Sequence, residues 1–156
     1  MNEREILPGV RAFDHTADLA IEIEAASLAQ LFDRAAAGMF LLIEGEEDAG
    51  SESEWHSAPF RERFEAGGLA VREVAVQAPD LASLLVAWLR ELLYLYEAEG
   101  LMYRGAEFQE LEPEALRARV RCEVVDRAVR EIKGVTYHGL EVYRNVDWHA
   151  RVVFDV

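Results

Sequence analysis

Hydrophobic and polar positions alternate from Asp18 to Ala25, with Leu19, Ile21, Ile23 and Ala25 on one side and Glu22 and Glu24 on the other. A period of two predicts a strand with one buried face. The period changes after Ser27, where Leu28, Leu31, Phe32, Ala35, Met39 and Leu42 recur at helical spacing. Ser27 and Gln30 form a capping box at the start of this first helix, which runs over about 28–42. Regular patterning then stops. From Glu44 to Gly68 the chain is rich in acids, Ser and Gly, which predicts a long, exposed, acidic loop with Trp55 and Phe60 as tethers. A strand over about 70–78 follows. Pro79-Asp80 opens a second helix whose face Leu81, Leu84, Leu85, Trp88, Leu89, Leu92, Leu93 and Tyr96 is unbroken, and Gly100 closes it.

Only strand-like runs come after that helix: 101–108, 115–125, 135–144 and 149–156. In the second of these, Leu116, Ala118, Val120, Cys122 and Val124 alternate with Arg117, Arg119, Arg121 and Glu123. The arginine face is expected to pair with the acidic loop of the same molecule. Cys122 lies on the apolar face and reads as a small core hydrophobe rather than a nucleophile. Two helices among about six strands joined by hairpins predict an α+β fold: a mixed, mainly antiparallel sheet with both amphipathic helices packed on one face.

Composition narrows the class. The 156 residues are 51% hydrophobic and 29% charged, which fits one globular domain spanning 1–156. No apolar run approaches the roughly 20 residues needed to cross a bilayer, and the N-terminus lacks the order of a signal peptide, so no membrane association and a cytoplasmic location are expected. Net charge is −14. Such a surface repels phosphate backbones, which disfavours stand-alone nucleic-acid binding and favours basic proteins and metal cations as partners.

Candidate chemistry lies in three segments. Lys133, in Glu131-Ile132-Lys133-Gly134-Val135-Thr136-Tyr137-His138, is the only lysine among 16 Lys and Arg residues. A compact ammonium does what a planar guanidinium cannot copy. Phe13-Asp14-His15-Thr16-Ala17-Asp18 puts two carboxylates and an imidazole at a strand entrance, where they suit either a divalent cation or a turn held by backbone bonds. The chain's last residues, Phe154-Asp155-Val156, place an acidic side chain beside a terminal carboxylate, a candidate corner for a metal or a lysine. An antiparallel hairpin through Asn145-Val146-Asp147 brings Lys133 and His138 beside Asp155. A Gly-rich phosphate loop, a serine nucleophile elbow, a paired-histidine zinc motif and a CxxC pair are all missing, so the sequence does not support a self-sufficient enzyme, including a hydrolase using His15 or His138 as base.

These segments, with the Leu84 to Tyr94 helix between them, resemble the archease family over nearly the whole chain and in the same order. Archeases are small cytoplasmic α+β proteins that activate the GTP-dependent RNA ligase of tRNA splicing and RNA repair, promoting guanylylation and multiple turnover. The resemblance therefore implies a protein cofactor, not an enzyme, with that ligase as partner. It also implies a divalent metal, Ca, Mg, Mn or Zn, on Asp18, Asp155 and Val156 and a functional lysine at Lys133; His15 and His138, from the segments read above, complete the expected functional tip. Gly134, where a small apolar residue is more usual, and the long 44–68 loop depart from the family pattern. The alternative is an acidic binding module or chaperone-like modulator of RNA-modifying proteins such as a tRNA methyltransferase.

Overall fold

The structure is a computed structural model that describes residues 2–14, 18–45, 69–124, 128 and 130–156. In chain order the elements are β1 (Asn2–Leu7), β2 (Val10–Asp14), β3 (Asp18–Ala25), α1 (Leu28–Glu44), β4 (Leu69–Gln77), α2 (Leu81–Glu99), β5 (Leu101–Glu112), β6 (Ala115–Val124), β7 (Gly134–Arg144) and β8 (Trp148–Asp155). The expected α+β class, the two helices and the antiparallel character hold. The expected single sheet does not. The strands divide into a five-stranded sheet, β1-β2-β3-β8-β7, and a three-stranded sheet, β4-β6-β5, and every neighbouring pair is antiparallel.

The helices do not cap one face but lie against both sheets: α1 packs on β3 and β5, and α2 on β7 and β4. The physical reason is in α1, where every residue from Ala35 to Glu44 is buried. A helix apolar on all sides needs cover on all sides, which one sheet cannot give. The β1–β2 hairpin was also absent from the sequence reading. Its strands are short and charged, as suits a sheet edge, and only the Pro8-Gly9 turn, with Gly9 at φ 75°, announces it.

Local signals act as expected at the helix ends. The Ser27 hydroxyl accepts from the Gln30 amide at 3.2 Å, and Gln30 Oε1 reaches back to the Ala26 amide at 2.8 Å. Asp80 Oδ1 accepts from the Ser83 amide at 2.8 Å, a bond that holds its carboxyl below the ordinary value. Gly100 ends α2 in the left-handed region, its N–H donating to Tyr96 O at 2.8 Å.

Three polar ties cross the apolar core. Trp88 Nε1 donates to the Phe32 carbonyl at 3.0 Å, joining the two helices. The Tyr103 hydroxyl donates to Asp33, and burial pushes that hydroxyl well above its usual pKa. Arg104 on β5 donates through Nη1 to Glu44 at 2.9 Å and through Nε to Glu123 at 2.7 Å, which joins α1, β5 and β6. Arg104 and Glu44 are only 7% and 6% exposed. Removing one member of such a group strands the others without compensation, so Arg104→Met is expected to lower the unfolding free energy by about 3–5 kcal/mol in urea titrations. A loss under ~1 kcal/mol would show that Glu44 and Glu123 are solvated in solution.

Cys122 lies in the core as a small hydrophobe, and burial pushes its thiol from 9.0 to about 11. The stability gained by keeping it neutral is present below pH 9.0 and is lost as pH rises from there toward about 11. In the native protein at pH 8, Cys122 is expected to resist a thiol-alkylating reagent that labels it at once in urea. Equal labelling rates in the two states would contradict its burial.

Candidate functional site

The first long strand and the last are partners. β3 and β8 pair from Ala25↔Trp148 to Asp18↔Asp155, so the aspartate that opens one strand stands directly across from the aspartate that closes the other. On the far side of β8, Asp155 faces Gly134 of β7, and the Lys133 amide donates to the Asp155 carbonyl at 2.7 Å. Lys133 reaches Asp155 through the register shift between Thr136 and Glu141, since an uninterrupted count along the hairpin from Arg144↔Trp148 would set Tyr137 across from Asp155.

Directly paired residues share a face of the sheet, so Asp18 and Asp155 project to the same side. Like charges in that position oppose each other, at a cost on the scale of 0.2–1 kcal/mol for a cross-strand pair. Nothing among the described residues relieves the cost: neither carboxylate has a hydrogen bond or ion pair there, and neither has the Lys133 ammonium. Asp18 is half-buried, Asp155 and Lys133 are exposed, and Val156 follows at 36% exposure. The row also has an open side, because a Cβ placed on Gly134 meets no atom within 4 Å.

The other sequence candidates separate from this row. Asp14, the second carboxylate of its motif, is engaged by Arg4 at 2.8 and 3.3 Å, with Arg130 at 3.9 Å, so its oxygens are committed to arginine. His15 lies outside the described residues. His138 does not join the row. The β7–β8 register runs from Gly134↔Asp155 to Thr136↔Val153 and resumes only at Glu141↔Arg151, so Tyr137, His138, Gly139 and Leu140 face Val152 alone. Gly139, at φ 65°, carries this bulge, and His138 is exposed within it. Of the basic stripe, Arg119 pairs with Glu73 on β4 at 3.2 Å. The partner expected for it, the acidic loop, falls at 46–68 outside the described residues.

Two arrangements escaped the sequence reading. The first is a row across all five strands, Glu5-Arg11-Glu22-Arg151-Glu141, in which charge alternates. Arg11 and Arg151 both reach Glu22, at 3.2 and 3.0 Å, and both guanidinium groups lie over the Phe13 ring, at 5.7 and 5.8 Å. Phe13, Ala20 and Val153 are thereby covered on the outer face, beside the aspartate row. The second is a contact from Arg90 of α2 to the backbone of β7 next to Lys133. Neither follows from local periodicity, since each needs a register or a crossing angle.

Chemically, the row offers two carboxylates and the Val156 carbonyl, with the Lys133 main chain bonded to Asp155 and its side chain exposed. Among the described residues no three His, Cys, Asp or Glu side chains gather as a metal-holding group. Among the described residues the ligands offered are hard oxygens, which suit Mg, Mn or Ca better than zinc, with water or a partner filling the remaining positions.

Residues 11–156 match the model of the "Archease protein family (MTH1598/TM1083)". The protein archease of Methanosarcina barkeri is 32% identical over 152 residues, 92% of each chain, and that of Pyrococcus abyssi is 29% identical over 92% of this chain and 96% of its own. The fold is similar to the solution structure of Methanobacterium thermoautotrophicum protein 1598, with a TM-score of 0.62 and 21% identity over 96% of this chain and 100% of that one. It is also similar to the crystal structure of an archease and possible chaperone from Thermotoga maritima, with a TM-score of 0.57 and 19% identity over 92% and 94%. With a family match over nearly its whole length and relatives aligned almost end to end, the chain belongs to the archease family.

Proposed function

We propose that this protein is a cytoplasmic activator of a GTP-dependent RNA ligase, not a catalyst itself, and that the Asp18–Asp155–Lys133 corner is its working end. The observation that carries this reading is a like-charged cross-strand pair kept without a partner among the described residues and set beside the chain's only lysine. A corner built only for stability would not keep it. The net charge of −14 adds support, because it favours docking on a basic protein and disfavours independent RNA binding. Among the described residues no helix is long and apolar enough to cross a membrane.

In the docked state Asp18 and Asp155, with the Val156 main chain, would hold a divalent cation shared with the ligase. Such an ion supplies Lewis-acid stabilisation of phosphoryl oxygens. Lys133 offers its ammonium to a nucleotide phosphate, which three rotatable N–H donors on a flexible stem can follow as the phosphate moves. The half-burial of Asp18 limits its side-chain freedom, so the corner meets its partner partly organised.

Multiple-turnover ligation by the cognate ligase, with this protein substoichiometric, tests the reading. Wild type should accelerate turnover, while Asp18→Ala and Asp155→Ala, both outside the apolar core, should lose at least ~10-fold of the stimulation with unchanged circular dichroism and melting. Full stimulation by both variants would remove the corner from the mechanism. A chaperone-like reading, in keeping with the description of the Thermotoga maritima relative, rests on the acidic charge alone. It requires activity to survive these two changes and to fail on charge reversal at Glu46, Glu47, Asp48, Glu52 and Glu54, which spares the buried Glu44–Arg104 pair.

Metal affinity has its own test. A site with two protein carboxylates should bind Mn2+ weakly in the isolated protein, with a dissociation constant on the order of 10⁻⁴–10⁻³ M. Paramagnetic broadening should start at Asp18, Gly134 and Asp155 and vanish in Asp155→Asn. Broadening that begins elsewhere would take the cation out of the proposal.

A further inference from the structure

Arg90 is the only basic residue of α2 and lies exposed on a helix that buries Leu85, Trp88, Leu89 and Leu92 in the core. Its Nε and Nη2 both donate to one acceptor, the Val135 carbonyl, at 3.0 and 2.8 Å, and its guanidinium lies 4.9 Å from the centre of the Tyr137 ring. Val135 is two residues from Lys133, in a piece of β7 that needs an outside support. β7 is the outermost strand of its sheet, and its first stretch pairs with β8 through only Gly134, Val135 and Thr136 before the register breaks. Ile132 and Val135 are each 2% exposed while Lys133 between them faces solvent, so the orientation of Lys133 depends on how that backbone is held.

We infer that Arg90 is a positioning residue: by gripping the Val135 carbonyl from α2, it fixes the Ile132-Lys133-Gly134 backbone against Asp155 and keeps the lone lysine at the aspartate row. A guanidinium suits the task because its planar fork places two donors on one oxygen while its face rests on an aromatic ring. The bulge contributes too, since Gly139 gives β7 the slack that lets Tyr137 turn beneath the guanidinium. The consequence for ligase activation rests on the function proposed above, whereas the placement of Lys133 does not.

Amide hydrogen exchange in the full chain reads the placement without any ligase. The Lys133 N–H, bonded to the Asp155 carbonyl, should lose about tenfold or more of its protection in Arg90→Met, with partial recovery in Arg90→Lys and unchanged protection of β3 and β8 between Ile21 and Val152. Unaltered Lys133 protection would overturn the inference, and so would a uniform loss that includes Ile21 and Val152, since that marks a general stability role. In ligation, Arg90→Met should lower the maximal stimulation and leave the half-maximal concentration in place. A variant that loses Lys133 protection yet stimulates fully would uphold the placement and sink the use of Lys133 in activation.

Discussion

The antiparallel pairing of β3 with β8 is the constraint on which the rest of the architecture hangs. It joins residues more than a hundred positions apart, and its register decides two things together. Leu19, Ile21 and Ile23 face the helices with Ala150, Val152 and Phe154, and Asp18 meets Asp155 at the end of the row. A slip of one residue would turn the apolar set outward, so the register is specified by burial. The aspartates gain their meeting from that specification. Their mutual repulsion is a small opposing term that the apolar alternation overrides, so the core pays for the corner.

Around this pairing the two helices act as a shared filling between two sheets. Trp88 and Tyr103 meet edge to face at 6.0 Å, and Tyr103 stacks on Phe40 at 6.3 Å, so α2, β5 and α1 share one aromatic cluster. The Arg104 group lies where α1 ends, at the entry to 46–68. Hydrophobic packing alone would let α1 slide along the three-stranded sheet, whereas a guanidinium that must satisfy Glu44 and Glu123 at once allows one placement.

Much of this was legible in the sequence where the signal is local. The β3 alternation, the Ser27 and Asp80 caps, the Gly100 stop and the hairpin over 145–147 each depend on a few adjacent residues, and each appears as expected. The hairpin pointed the Lys133 segment toward Asp155, but Lys133 itself arrives there through the bulge, and the nearness of Asp18 to Asp155 was implied only by the family resemblance. What was not legible is what needs a distant partner. The division into two sheets depends on which strands choose each other, and periodicity does not encode that choice. His138 failed as a corner residue because the bulge at 137–140 breaks the count, and one glycine among ordinary strand residues gives little warning. Asp14 and Asp18 look alike in sequence, and only the approach of Arg4 and Arg130 separates a structural carboxylate from an available one.

The alternating row Glu5-Arg11-Glu22-Arg151-Glu141 has a consequence for how another molecule meets this one. Its three acids and two arginines leave the row one charge short of balance, each charge in it facing an opposite one on the neighbouring strand. From Asp18 to Glu22 is four residues along a strand, about 13 Å, which exceeds the screening length of roughly 8 Å at physiological salt. The guanidinium groups lean part of the way back over Phe13, yet among the described residues none pairs with Asp18 or Asp155. A basic partner of the kind proposed above would meet this corner as negative charge not already matched within the sheet.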